Sequence, residues 1–159
     1  MTTSDLLPML PAQKWHHKAS GCFVSDDIND IDIKALYDFL HNHAYWSKGI
    51  PFDLVKRSVE QSHSFGLFTK EGKQIGFCRV VTDHATSAYV GDVYVLDNHR
   101  GQGLATFLMN CMMTHPNLQG LRRWILLTSD MQELYKKFDF ESPAQPEWYM
   151  DHCPKNRVY

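Results

Sequence analysis

No stretch of this chain approaches the ~20 consecutive apolar residues that a membrane-spanning helix requires. Its early apolar run, Leu6 to Pro11, is too short and too broken to be the core of a secretion signal. A cytoplasmic protein is therefore expected. Paired cysteines are also missing: Cys22, Cys78, Cys111 and Cys153 are scattered with no Cys-x-x-Cys spacing, which fits reduced thiols better than a disulfide framework or a zinc site. Nor is there an excess of one charge. Sixteen Lys and Arg against eighteen Asp and Glu leave −2, so no polycationic footprint exists for nucleic acid or an anionic membrane. Nine histidines are present, but neither His16-His17 nor His41-Asn42-His43 has the ligand spacing of a zinc signature, and no metal is expected. The second group falls near a predicted helix end, where imidazoles commonly cap carbonyls.

What is present can build one sizeable core: 159 residues, 43% hydrophobic and 13% aromatic. Residues 1–19 show no sustained periodicity and carry Pro8 and Pro11, so they read as an arm or an edge segment, with residues 20–159 as a single domain. Cys22 to Ser25 suits a short strand, and Asp26, Asp27, Asn29 and Asp30 supply turn and cap chemistry. Ile33, Leu36, Tyr37 and Leu40 then fall on one helical face. Pro51 suits the first turn of a second helix running to about Ser62, with Val55 and Val59 buried.

Ser64 to Thr69 and Gln74 to Thr82 read as a hairpin across Lys70-Glu71-Gly72-Lys73, and Ser87 to Leu96 as a third long strand. A helix with Leu104, Phe107, Leu108, Cys111 and Met112 on one face follows Gly101 and stops at His115-Pro116-Asn117. Trp124 to Leu127 suits a strand covered on both faces. Ser129 and Gln132, at capping-box spacing, lead a helix with Met131, Leu134, Tyr135 and Phe138 on one face. Two short edge strands are expected between Phe140 and Met150. This order predicts a mixed α/β (α+β) fold with helices on both faces of a mostly antiparallel sheet.

The segment Arg100-Gly101-Gln102-Gly103-Leu104-Ala105 joins a strand to a helix. Helix starts leave backbone N–H groups without intrahelical partners and carry a partial positive charge, so anions bind there. Gly101 and Gly103 permit close approach, and Arg100 adds a cation suited to phosphate. A dinucleotide fingerprint is excluded because Thr106 stands where its third Gly is needed, and a P-loop because no Gly-Lys-Ser/Thr follows. By itself the segment is a tight turn or an anion site.

Its spacing resembles the Arg/Gln-x-x-Gly-x-Gly/Ala motif of GNAT acyltransferases, read as Arg100, Gly103 and Ala105. The preceding Asp92-Val93-Tyr94-Val95-Leu96 resembles that family's fourth strand. Leu134-Tyr135-Lys136-Lys137-Phe138-Asp139-Phe140 resembles its Leu-Tyr-x-Lys-x-Gly-Phe motif. The resemblance is strongest from about Ser64 to Phe140. It implies a sheet of six to seven strands whose fourth and fifth splay apart, with acyl-CoA in the gap and an amine entering from the other side.

The same resemblance implies that acetyl-CoA is the cosubstrate and that Tyr135 is the general acid for the departing thiolate. The backbone at Tyr94, Val95 and Leu96, residues 100–105 as named above, and the Thr128 hydroxyl would hold the cofactor. Tyr135 is protonated at neutral pH, and its place on an apolar helical face is compatible with aiming the hydroxyl into a cleft. Asp92 is either a general base or the partner of a neighbour such as Arg79 or Arg123, or it orients a water. Thr128, Met131 and Asp139 depart from the family's usual Asn, Ala and Gly. Tyr45, Trp46, Trp148 and Tyr149 would flank an acceptor pocket or simply cover the core. The reaction implied is acetyl transfer to a primary amine of a small molecule or peptide, in a monomer or a homodimer. The alternatives are a non-catalytic acyl-CoA-binding or sensor module, and a structural domain without a ligand.

Overall fold

A computed structural model describes residues 9–154. Six strands form one sheet in sequence order: β1 (Lys14–His16), β2 (Phe23–Ser25), β3 (His63–Phe68), β4 (Gln74–Thr82), β5 (Ser87–Val95) and β6 (Arg123–Leu126). All neighbours pair antiparallel except β5 and β6, which are parallel. Four α-helices accompany them: α1 (Ile33–Asn42), α2 (Phe52–Glu60), α3 (Leu104–Met113) and α4 (Gln132–Lys136). No helix of the described residues is long and apolar enough to cross a membrane.

The helices cover opposite faces because their apolar stripes do. Leu36 and Leu40 of α1 and Val55 and Val59 of α2 bury against Phe68, Phe77 and Tyr94. Leu104, Leu108, Cys111 and Met112 of α3, with Leu134 and Tyr135 of α4, bury against Phe65, Val80, Val90 and Val95. Each fully buried Leu or Phe stabilises by about 1.5–3 kcal/mol relative to exposure.

Several local expectations change. Of residues 1–19, read as an arm or an edge segment, 1–8 lie outside the described residues, while Lys14–His16 take the second form as edge strand β1, where Gln13 N–H donates to the Asp26 carboxylate at 2.5 Å. Asp32, not the earlier acidic residues, caps α1 by accepting from Ala35 N–H at 2.9 Å. At α4 the Thr128 hydroxyl, not that of Ser129, accepts from Met131 N–H at 3.1 Å, and Met131 is exposed rather than on the buried face. The expected tail strands are not formed: among the described residues the segment after α4 holds only a 3₁₀ turn at Pro146–Trp148. Pro143 and Pro146 each lack the N–H that an edge ladder would use.

Candidate active site

The site lies where β5 outruns β6. The parallel pairing ends at Val90 opposite Leu126, while β5 continues to Val95. On its other side β5 carries a bulge: Gly91 pairs with Arg79 and Tyr94 with Phe77, so two residues, Asp92 and Val93, face Cys78 alone. Asp92 takes φ +54° there, a left-handed conformation that Asp tolerates better than most residues.

The amides around Val95 do not serve equally. Leu96 N–H is committed to Ile75 O at 2.8 Å. N–H directions alternate along a strand, so Val95 N–H turns to the opposite edge, where β6 has already ended. The Val95 carbonyl on that edge accepts from Arg100 Nε at 3.1 Å. The Tyr94 ring leaves the gap altogether and stacks on Phe39 with centroids 3.6 Å apart, buried on the α1 side. Of the three residues expected to meet the pantetheine, Val95 alone has a backbone N–H directed into the gap.

Beyond β5, Gly101 and Gly103 take φ +74° and +76°, and a Cβ at either would meet nothing within 4 Å. Gly103 is the α3 N-cap and brings no side-chain cap, so the first-turn amides of Leu104, Ala105 and Thr106 lack intrahelical acceptors. Gln102 is exposed between the glycines. Arg100 Nη2 pairs with Asp97 at 3.0 Å, well exposed to solvent. The result is an open, donor-rich helix start with the helix dipole behind it, which suits a pyrophosphate.

Tyr135 stands on α4, its ring edge-on to Phe140 at 6.1 Å. It is only 7% exposed, yet its hydroxyl makes no hydrogen bond with the described residues. Burial, with lesser contributions from Cys78, Asp130, Tyr45 and Tyr89, pushes its pKa up to about 12. A groove of about 410 Å³ runs past it, lined by Leu126, Thr128, Gln132 and Phe140 among others. The departure at Asp139 is conformationally mild: its φ is +62°, so the Asp occupies the left-handed position for which a glycine is suited.

Asp92 is fully engaged. Arg79 Nε donates to one carboxylate oxygen at 2.6 Å and Trp46 Nε1 to the other at 3.0 Å, while Arg79 Nη1 reaches Ser62 Oγ at 3.2 Å. Arg79 is thus the partner among those weighed from sequence. The link to Trp46 was invisible there, because the indole lies far away in the chain.

Sequence reasoning also missed a second cluster. His63 Nε2 and His115 Nε2 both lie 2.8 Å from Asp26 Oδ2, the His115 contact being out of line for a hydrogen bond. The three groups are close enough to hold a metal. However, His115 Nδ1 accepts the Asn117 N–H at 3.0 Å, so the imidazole proton sits on Nε2, the atom a metal would need. Burial raises the Asp26 pKa, but the imidazole and Gln13 N–H contacts outweigh it and hold the carboxyl well below its usual range. His41, from the group read as a carbonyl cap, contacts Ile50 O at 2.9 Å through Nδ1.

Comparison with known proteins gives a consistent answer. The profile of the acetyltransferase (GNAT) domain matches residues 61–142. An assigned acetyltransferase of Gibberella zeae is 31% identical over 135 residues, covering 72% of this chain and 75% of its own. The crystal structure of an assigned GNAT-family acetyltransferase from Xanthomonas campestris pv. campestris superposes with a TM-score of 0.81 at 43% identity, covering 84% of this chain and 93% of that one. A protein of Clostridium acetobutylicum assigned as an acetyltransferase and solved with acetyl-CoA shares the fold at a TM-score of 0.59 and 14% identity, over 91% and 96% of the two chains.

Proposed function

The chain belongs to the GNAT family of acetyltransferases, and from that premise we propose that it transfers an acetyl group from acetyl-CoA to a primary amine. The observation that carries this reading is the open helix start at Gly101–Gly103, which no side chain caps, following the unpaired end of β5. Arg100, the amides of residues 101–105 and the Val95 N–H would hold the pyrophosphate and the pantetheine, with the Thr128 hydroxyl nearby as a further donor. Acetyl-CoA brings the activated acyl group.

In the transfer an amine lone pair forms the new C–N bond, the thioester C–S bond breaks, and the carbonyl oxygen carries negative charge between the two events. Tyr135 gives its proton to the departing sulfur, and the amine nitrogen loses one to solvent. The Tyr135 hydroxyl, which has no partner among the described residues, is available to the departing sulfur, and at neutral pH the phenol carries its proton. Of the roles open to Asp92, its double engagement favours positioning over base catalysis. Its two oxygens already accept from the Arg79 guanidinium and the Trp46 indole. It would hold the β5 bulge and the Trp46 loop in register.

The test is acetyl-CoA binding by calorimetry together with thiol release in the presence of amines. Binding followed by amine-dependent release is expected. Binding without release from any amine, and with Tyr135→Phe indifferent, would place the protein among non-catalytic acyl-CoA binders.

A further inference from the structure

We infer that the acceptor amine is carried on an uncharged, apolar body, an inference that rests on the acetyl-transfer reading above. Tyr89 of β5 pairs with Ile125 of β6, and paired residues share a face, as do residues two apart. A side chain built at Gly91 would stand 3.3 Å from the Tyr89 ring and 3.7 Å from Arg79 Nη2, which puts all three on one side. Tyr89, Gly91 and Ile125 thus form a ledge on the face opposite α3, and Leu127 follows just past the end of β6, at the groove that also passes Tyr135. Tyr89, Ile125 and Leu127 are absent from both cores, and Tyr89 and Leu127 are 38% and 79% exposed.

Aromatic rings from the α1–α2 connection stand at the end of this ledge. Tyr45 and Trp46 pack edge to face at 5.1 Å and are 63% and 38% exposed. Trp46 is anchored to Asp92, and the Tyr45 hydroxyl reaches Ser129 on the far side of the gap at 2.5 Å. Both sides of the opening are thereby fixed, with ring faces and a leucine turned to solvent.

Charge decides among acceptors. The charges on the ledge itself, Arg79 and Asp92, pair at 2.6 Å with little solvent access, and Asp130 stands exposed at the rim beside Ser129. A phosphate-bearing amine would meet at most Nη2 of a guanidinium whose charge Asp92 already offsets and whose Nη1 donates to Ser62. A polyamine would find Asp92 already paired and could reach Asp130 only in solvent, where an ion pair contributes little. A flat apolar body loses nothing there and gains burial against the rings. The body takes no part in the bond changes described above and acts through binding.

The test measures thiol release from acetyl-CoA with phenethylamine, glucosamine 6-phosphate and spermidine, for the native protein and for Leu127→Glu, whose exposed site leaves the fold intact. The expected kcat/KM for phenethylamine exceeds that for either charged acceptor by at least about tenfold. Leu127→Glu should raise the phenethylamine KM about tenfold with kcat kept. A charged acceptor that wins, or a KM unmoved by Leu127→Glu, overturns the inference and leaves acetyl transfer standing. No turnover of any amine despite acetyl-CoA binding overturns the transfer reading and this inference with it.

Discussion

Replacing Tyr135 by Phe removes one hydroxyl and almost nothing else, because that hydroxyl has no hydrogen-bond partner among the described residues while the ring keeps its contacts in the core. Folding stability should therefore hold within about 1 kcal/mol. Catalysis should not. A positioned general acid contributes roughly 10²–10⁴-fold, and a leaving thiol with a pKa near about 8.5 needs less help than most. The lower end applies, about a hundredfold in kcat, or about 2.7 kcal/mol of barrier. The KM for acetyl-CoA should stay constant, since the donors proposed for the pyrophosphate are those of the Arg100–Ala105 loop.

The pH profile adds a second readout for the same residue. With the phenol pushed up to about 12, the native kcat/KM should climb as the amine deprotonates and show no falling limb below about pH 11. An acid at the ordinary tyrosine value would produce a falling limb near about pH 10. Stopped assays of thiol release from pH 6 to 11, run on both proteins with melting temperatures alongside, make the measurement. A folded Tyr135→Phe protein with kcat within about threefold of native would falsify the assignment, since no acid catalysis of the expected size would then remain to explain.

Other expectations follow from the same geometry. Gly103→Val should raise the acetyl-CoA Kd at least about tenfold by calorimetry, because a branched side chain both strains φ +76° and occupies the open approach to the α3 amides; an unchanged Kd in a folded variant would remove the pyrophosphate from this loop. Asp92→Asn should lower the melting temperature and alter Trp46 fluorescence while reducing kcat less than about tenfold; loss beyond about a hundredfold, with a vanished pH limb, would instead mark Asp92 as the base. Asp26→Asn sets an amide N–H₂ against imidazole or backbone donors and should cost about 3 kcal/mol in urea unfolding at pH 7. Because the folded Asp26 pKa is depressed, its stabilisation is complete above the unfolded value of about 4 and fades as pH falls below it. Native and variant stabilities should therefore converge in acid, and a constant gap down to about pH 2 would contradict this.

The sequence by itself determined the features that depend on near neighbours in the chain. The α1 and α2 faces, the β3–β4 hairpin and β5 were legible because periodicities of 3.6 and 2 report which side of an element is buried. The open helix start at Gly101–Gly103 was legible because two glycines before a helix have a local consequence. Tyr135 could be singled out by motif, although its unpaired hydroxyl and raised pKa could not. The tail misled because apolar residues there suggested strands while two prolines withheld the donors.

Only the tertiary structure decided the partners. Whether Asp92 faces Arg79, Arg123 or water depends on the β4–β5 register and its bulge, and whether Leu96 N–H is free depends on Ile75 across the sheet. Asp26, His63 and His115 have no mutual spacing to read, and they meet because β2, β3 and the turn after α3 converge. Hydrogen bonds and ion pairs act over about 3 Å, so side chains distant in sequence acquire partners only when the fold brings them that close.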